Sequence, residues 1–236
     1  MRRTWWVIQF AVTASCNGIL GIGDPGAAPP DATSSSCVIA GFDLCANTKP
    51  NGSIHFQTDV TINTDSDCNI VLFVPTGGSL CVVYATDFEI SAHVHGIGRR
   101  PLVLAATGTI DVTGTVDVSS TGSQVGAASG DPSCAKVSPT APYSGPAGGS
   151  FHGRGGNGGA GLTTAAVPGL AAQAAVTATP SVLRGGCQSS GNAFDGAGGG
   201  GGAPGGGALE LAAGASITVG ATGVVAANGA TSLYSA

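Results

Sequence analysis

Hydrophobic and polar residues alternate along short stretches between about residues 37 and 120. Residues 60–62 and 88–94 place apolar side chains on one face and polar side chains on the other, which is typical of half-buried strands. Residues 70–74 form a continuous apolar run, and such a run favours a strand covered on both faces. Glycine, proline, threonine and serine interrupt nearly every window in which an amphipathic helix could form. The pattern therefore predicts an all-β protein.

An internal repeat is the strongest feature of this pattern. Residues 102–122 align without gaps on residues 209–229, and nine of the 21 positions are identical, mostly at alternating apolar positions. Each copy reads strand, corner, strand, corner, strand, as in one coil of a solenoid that buries its apolar face against a neighbouring coil. We therefore expect a short right-handed parallel β-helix or solenoid, with a β-helix-like region over 37–122, a glycine-rich insertion over 123–208, and a final β coil and tail over 209–236.

Glycine dominates the insertion, where residues 145–207 hold 22 glycines in 63 residues. Residues 153–161 repeat the triplet Gly-x-Gly, and a left-handed helix with three residues per turn would place every third residue on one edge. Bare glycine edges let neighbouring backbones approach closely, so we expect a packed threefold helix, with a flexible spacer as the alternative. Residues 153–158 also fit the motif GxGxxG, and residues 154–156 read RGG. A dinucleotide site needs a strand before GxGxxG and a helix after it, and the surrounding glycines and prolines predict neither. RGG is typical of RNA-binding segments, which the acidic charge and the export signal argue against.

The first residues have the features of an export signal. Arg2 and Arg3 precede an apolar segment of eleven residues, 4–14, whereas a helix that spans a bilayer needs about 20. Residues 1–15 are therefore expected to be a signal peptide, with a buried N-terminal strand as the alternative. Residues 16–36 are rich in proline, glycine and serine, which predicts a flexible tether.

The number of cysteines indicates where the expected signal peptide is cleaved. Seven cysteines are an odd number for an exported chain. Residues 13–16 are similar to a lipobox, although Thr13 stands where an aliphatic residue is usual, and lipidation of Cys16 would leave six cysteines for three disulfides. Cleavage by an ordinary signal peptidase is the alternative. The preferred pairing joins cysteines that are neighbours along the chain: Cys37 with Cys45, Cys68 with Cys81, and Cys134 with Cys187 at the base of the insertion.

The charge balance excludes one class of partner. Without residues 1–15 the chain has 6 basic and 13 acidic side chains, a net charge of −7, and no basic cluster. Affinity for nucleic acids comes largely from lysine and arginine at phosphates. No nucleic-acid partner is therefore expected.

Two histidines are the first candidate for chemistry. His93 and His95 are two residues apart on a predicted strand and face the same way, so they can contribute to a metal site. Because no third ligand is evident, solvated strand residues are the preferred interpretation. Asn51 begins a glycosylation sequon, but the lipobox-like start is bacterial in character and no glycan is expected.

Carboxylates supply the remaining candidates. Asn63, Asp65 and Asp67 can bind calcium through oxygen atoms, but a turn between strands is preferred. Asp111 and Asp117 resemble a glycosidase carboxylate pair, but no basic cluster accompanies them, and solvent-facing strand residues are preferred. The sequence thus predicts no catalytic residue, no cofactor and no metal site.

Several stretches carry a family resemblance: residues 16–25, 100–106 and 114–119, the glycine insert, and residues 183–187. On these the chain resembles the glycine-rich, lipoprotein-like exported surface proteins of myxobacteria and their relatives, which are largely uncharacterised. The resemblance implies a surface protein with no catalytic residues to carry over. It also implies a shortened C-terminal end, because such proteins tend to continue with more glycine-rich sequence.

These features favour a non-enzymatic cell-surface protein with a structural, adhesive or matrix-interacting role. We expect it at the outer membrane or cell surface as a lipoprotein, or secreted, with extracellular polysaccharide or surface matrix as partner and a lipid anchor as its membrane contact. The alternative is a polysaccharide-binding or polysaccharide-cleaving β-helix protein. Clustered carboxylates beside arginine or lysine would favour that alternative, and a smooth face of small residues would favour the first. A spacer that projects from the membrane is a third interpretation.

Overall fold

The computed structural model describes residues 38–39, 42–44, 48–74, 78–122, 124–129, 183–189 and 202–230. Strands make up 45% of these residues and helix 1%, so the predicted all-β class is confirmed. The strands are β1 Val38–Ile39, β2 Phe42–Asp43, β3 Ile54–Phe56, β4 Val60–Asn63, β5 Ile70–Phe73, β6 Ser79–Ala85, β7 Phe88–Ile90, β8 His93–Ile97, β9 Leu102–Ala106, β10 Thr109–Val112, β11 Thr115–Asp117, β12 Leu209–Ala213, β13 Ser216–Val219 and β14 Val224–Ala226.

Twelve of these strands form three four-stranded sheets, and β1 pairs with β2. Sheet I has the order β12-β9-β6-β5, sheet II the order β13-β10-β7-β3, and sheet III the order β14-β11-β8-β4. All neighbours in the three sheets are parallel except β5 and β6. We call β6–β8, β9–β11 and β12–β14 the second, third and fourth passes, because each contributes one strand to sheets I, II and III in that order. The first pass, β3–β4, contributes to sheets II and III.

The repeat aligns with the strand pairing in two sheets out of three. In sheets I and II, β9 pairs with β12 and β10 with β13 at the offset of the repeat, so that Leu102 lies opposite Leu209. In sheet III, Thr115 lies opposite Val224, two residues beyond the predicted partner Thr222. The corner before β14 is two residues longer than the corner before β11, and this extra length causes the shift. Because a shift of two keeps every side chain on its own face, the interior pattern survives.

The interior between the three sheets holds the main core. Inward side chains of the second and third passes are fully buried there: Phe88, Ile90, Val94, Leu102, Leu104, Ile110, Val112 and Val116. A smaller cluster lies on the other face of sheet I, where Val82, Tyr84, Val103 and Ala105 pack with Leu44, Leu72 and Leu80. Sheet I is therefore covered on both faces along β6 and β9.

The expectation that residues 70–74 are covered on both faces is wrong. Strand β5 lies at the edge of sheet I, antiparallel to β6. Its Leu72 packs into the smaller cluster, whereas Phe73 is 79% exposed. The continuous apolar runs that are buried on both sides are those of β6 and β9.

Glycine permits close approach between passes at the corners. A Cβ atom on Gly114, between β10 and β11, would meet main-chain atoms of Ser91 and Ala92 in the corner of the second pass. A Cβ atom on Gly52, by contrast, would meet no other atom within 4 Å. The corner at Gly114 therefore requires the absence of a side chain.

The described ends of the glycine-rich insertion are hydrogen-bonded to each other and to the residue that follows β11. The amide of Gly186 donates to the carbonyl of Gly206 at 2.8 Å, and the amide of Gly207 donates to the carbonyl of Val118 at 2.9 Å. A Cβ atom on Gly205 would meet the main chain of Gly186. These ends are thus part of the ordered body, while the triplet stretch 153–161 lies outside the described residues.

A disulfide joins Cys68, just before β5, to Cys81 in β6, which is the local pair expected from the sequence. Cys187 is disulfide-bonded as well and is buried. Its predicted partner Cys134 lies outside the described residues. So do Cys16, Cys37 and Cys45, and the predicted signal peptide 1–15 and tether 16–36.

Candidate functional site

Two histidines and an aspartate meet on the outer face of sheet III. Strands β8 and β11 pair in parallel, with His93 opposite Thr115 and His95 opposite Asp117. Alternate residues of a strand share a face. Because Val94 and Val116 are buried in the core, His93, His95 and Asp117 lie together on the outer side.

One ring nitrogen from each histidine and one carboxylate oxygen of Asp117 lie within 4.8 Å of one another. The Oδ2 atom of Asp117 is 3.6 Å from His93 Nε2 and 3.7 Å from His95 Nδ1, and the two rings are 5.8 Å apart at their centroids. The side chains of His93, His95 and Asp117 are 45%, 14% and 21% exposed. The cluster is therefore reached from solvent on the His93 side and is closed on the His95 side.

Local hydrogen bonds fix the aspartate. The amide of Ser119 donates to Asp117 Oδ1 at 2.7 Å, which leaves Oδ2 directed at the rings. On β8, the amide of His93 donates to Asp59 Oδ1 at 3.0 Å. The His95 Nδ1 atom is buried and has no hydrogen-bond partner among the described residues.

Opposing effects act on the pKa of Asp117. Partial burial on its own would raise the pKa of this carboxyl group. The hydrogen bonds from Ser119 and the neighbouring imidazoles of His95 and His93 outweigh that effect and hold the pKa below its ordinary value. Asp117 is thus an ionised carboxylate at neutral pH.

A second polar group lies on the outer face of sheet II. The Nδ1 atom of His55 is 2.8 Å from Glu89 Oε2, and Asp111 lies opposite Glu89 on the next strand. Both partners of the His55–Glu89 pair are more than half exposed, and exposed ion pairs contribute little to stability. Glu89 and Asp111 thus project from neighbouring strands, and neighbouring strands of a sheet are about 4.8 Å apart.

The candidate carboxylates Asp111 and Asp117, for which solvent-facing strand positions are the preferred interpretation, do not lie on one sheet. Asp111 lies on β10 in sheet II, and Asp117 lies on β11 in sheet III, beyond the corner at Gly114. Each instead lies opposite a polar residue of the preceding pass: Asp111 opposite Glu89, and Asp117 opposite His95.

Residues 63–67 form a turn, as their pattern of asparagine and aspartate predicts. Asn63 Oδ1 accepts from the amide of Asp65 at 2.9 Å, and Asp67 Oδ2 accepts from the amide of Asn63 at 2.8 Å. Asp65 also pairs with Arg99 at 3.3 Å and with Arg100 at 3.6 Å. These side chains therefore hold the turn against the loop that follows β8.

Sequence reasoning missed Asp117 as the third member of the histidine cluster. A second, weaker repeat in the sequence indicates the position of Asp117. In this repeat, FEISAHVH at 88–95 and IDVTGTVD at 110–117 share the same alternation of apolar and polar residues. That offset of 22 residues is the one the strands adopt in sheets II and III. It places Asp117 beside His95.

In the part of the chain that the structure describes, no helical segment has the length and hydropathy needed to cross a bilayer. The chain matches no protein-family model, no curated protein and no solved structure.

Proposed function

We propose that the three sheets form a short right-handed parallel β-helix, and that this β-helix is the body of a non-enzymatic, exported cell-surface protein with a structural, adhesive or matrix-interacting role. The observation that carries the proposal is the constant order in which successive passes enter sheets I, II and III. Parallel connections within a sheet are right-handed in nearly all proteins, which supports the hand. Repeated passes of this kind build extended surfaces on which a partner can lie.

The surface of the fourth pass supports a binding or structural role. Residues 211–230 contain no charged side chain, and their exposed positions are mainly alanine, glycine, serine, threonine and valine. Glu210 in β12 is the one charged residue of the fourth pass, and the rest of its surface offers hydroxyl groups and small apolar groups. It suits contact with an extended neutral polymer such as a matrix polysaccharide.

Export rests on the N-terminal sequence. The basic and apolar segment of residues 1–15 favours a signal peptide, and Cys16 is the proposed lipid-bearing residue. The disulfide between Cys68 and Cys81 supports an oxidising compartment. The resemblance to glycine-rich surface proteins of myxobacteria points the same way.

Protease treatment of intact producing cells tests the location. We expect the protein to be degraded on intact cells, and the mass of the mature N-terminus to correspond to Cys16 carrying lipid. A Cys16→Ser variant should lose the lipid mass and leave the membrane fraction. Full protection on intact cells, with degradation after lysis, would contradict a surface location.

The alternative role, polysaccharide cleavage, is favoured by one observation, the adjacent carboxylates Glu89 and Asp111. Most glycosidases act through two carboxyl groups that flank the scissile glycosidic bond. In a strain that lacks the protein, we expect the wild type and a Glu89→Gln/Asp111→Asn double variant to restore surface adhesion equally. Loss of function in the folded double variant, together with release of sugar by the wild type, would favour the enzyme instead.

A further inference from the structure

We propose that His93, His95 and Asp117 form a binding site for a divalent transition-metal ion, with zinc as the representative ion. Two imidazole nitrogens and one carboxylate oxygen are a common zinc ligand set, at bond lengths of about 2.0–2.2 Å. Ligand atoms at tetrahedral angles and these bond lengths are roughly 3.3 Å apart. The two nitrogen–oxygen distances at Asp117 are 3.6 and 3.7 Å, and all three ligand atoms lie within 4.8 Å of one another, so side-chain rotations that bring the ligand atoms closer together would complete the site.

The buried nitrogen of His95 is the second observation that points to a metal. Its Nδ1 atom is shielded from solvent and has no hydrogen-bond partner within the described part of the chain, where the Asp117 carboxylate lies 3.7 Å away. Buried polar atoms are almost always hydrogen-bonded, so an exception calls for an explanation. A metal ion between His95 and Asp117 would satisfy this nitrogen and the carboxylate together.

Asp117 is prepared for such a role by its surroundings. The amide of Ser119 holds Oδ1, which fixes the orientation of the carboxylate and leaves Oδ2 for the ion. Hydrogen bonds of this kind orient the ligands in known metal sites.

The ligand set selects a class of ion. Imidazole suits zinc, copper, iron and nickel, whereas magnesium and calcium prefer sites made of oxygen atoms alone. Three protein ligands leave one tetrahedral position for water. That position is expected on the side of His93, which is 45% exposed and provides the path for entry.

The site would act as a cross-link between two passes. His93 and His95 belong to β8 and Asp117 belongs to β11, so a bound ion would join neighbouring strands of sheet III. An ion that binds the folded state alone stabilises that state by mass action. The inference is independent of the proposed surface role, because it depends only on these three side chains.

Calorimetric titration of the full, disulfide-bonded chain with zinc, after removal of metal by a chelator, tests the site. We expect one zinc ion per chain, and a loss of affinity of about 100-fold or more in His95→Ala and in Asp117→Asn, because even indirect partners of a metal typically cost 10–100-fold. His93→Ala removes a half-exposed ring, so this variant tests the same loss of zinc affinity if His95→Ala or Asp117→Asn fails to fold. Zinc should also raise the unfolding temperature of the wild type and leave that of Asp117→Asn unchanged.

Matched controls separate this site from other zinc ligands of the chain. His55→Ala removes a histidine that pairs with an acid on sheet II, and it should bind zinc as the wild type does. His152→Ala, which removes the one histidine outside the described residues, and Cys16→Ser should also retain binding. The absence of saturable zinc binding by the wild type would overturn the proposal. So would equal binding by His93→Ala, His95→Ala and Asp117→Asn, which would indicate adventitious zinc only.

Discussion

Val112 and Val219 occupy equivalent positions in neighbouring passes and differ sharply in burial. They lie opposite each other in sheet II, so their side chains share a face, yet Val112 is fully buried and Val219 is 49% exposed. Val112 has a strand on each side, β7 and β13, whereas Val219 lies on the outermost strand of sheet II. If stacking of passes buries the interior, the same substitution at these two valines must have different costs.

The magnitude follows from the buried area. Replacing a fully buried valine by alanine removes two methyl-sized groups, each worth about 0.8 kcal/mol of transfer free energy. The closed interior adds a cavity cost, since the surroundings relax only partly. We expect Val112→Ala to lower the free energy of unfolding by about 2–3 kcal/mol. Val219→Ala removes groups that are half in water and leaves no closed cavity, so its cost should stay below about 1 kcal/mol.

Urea unfolding with intact disulfides, followed by far-UV circular dichroism, gives both values from the shift of the midpoint at constant slope. Both tryptophans, Trp5 and Trp6, lie outside the described residues, so circular dichroism is preferred to tryptophan fluorescence. Val116→Ala and Val225→Ala repeat the comparison in sheet III, where the two valines are opposite each other and are 0% and 46% exposed.

Two results would refute the reasoning. Equal costs of about 2–3 kcal/mol at Val112 and Val219 would mean that the fourth pass is covered in solution by another surface. A cost below about 1 kcal/mol at Val112 would mean that the space between the sheets is not a packed core.

Three further predictions concern a corner, a cross-link and a partly buried acid. Gly114→Ala should destabilise the protein by about 1–3 kcal/mol, because its Cβ would meet the main chain of the second pass, whereas Gly52→Ala should be neutral within about 0.5 kcal/mol in the same urea assay. Replacing Cys68 and Cys81 together by serine should cost about 3 kcal/mol, as expected for a cross-link between residues 13 apart, and peptide mapping without reductant should show the pair in the wild type. Burial raises the pKa of Glu210, so the folded state binds its proton more tightly than the unfolded state does, and stability should fall as the pH rises through the unfolded and then the folded pKa. Glu210→Gln should therefore raise the urea midpoint at pH 7 relative to the wild type and reduce this fall.

The class of fold and part of the register could be predicted from the sequence, because they depend on local alternation. In β9 and β10 the inward positions are apolar and repeat in β12 and β13, and the pairing follows that repeat. The register of β14 could not be predicted in the same way. Its alignment depends on the length of the corner at 220–223, whereas the identities Thr115/Thr222 and Val118/Val225 favour an offset that the strand does not adopt.

The histidine cluster shows why a candidate site is harder to predict than a fold. His93 and His95 share a face by strand alternation, which a short window of sequence reveals. Asp117 joins them only through the pairing of β8 with β11, and that pairing depends on an offset of 22 residues between two passes whose identities are few. The pass length differs elsewhere, since β4 pairs with β8 at an offset of 34, so no single period can be read along the chain.

What is constant between passes is therefore the order of sheets and the inward face, and what varies is the length of the corners. The core requires only that each inward position stay inward, and any even change of register satisfies that requirement. The outward face has no such requirement, so a change of two residues in a corner alters which polar side chains become neighbours. At β11 the offset brings Asp117 to His95, whereas a shift of two would have placed Thr115 there. The chemistry of this surface is thus set by corner length, which is the property that hydrophobic patterning constrains least.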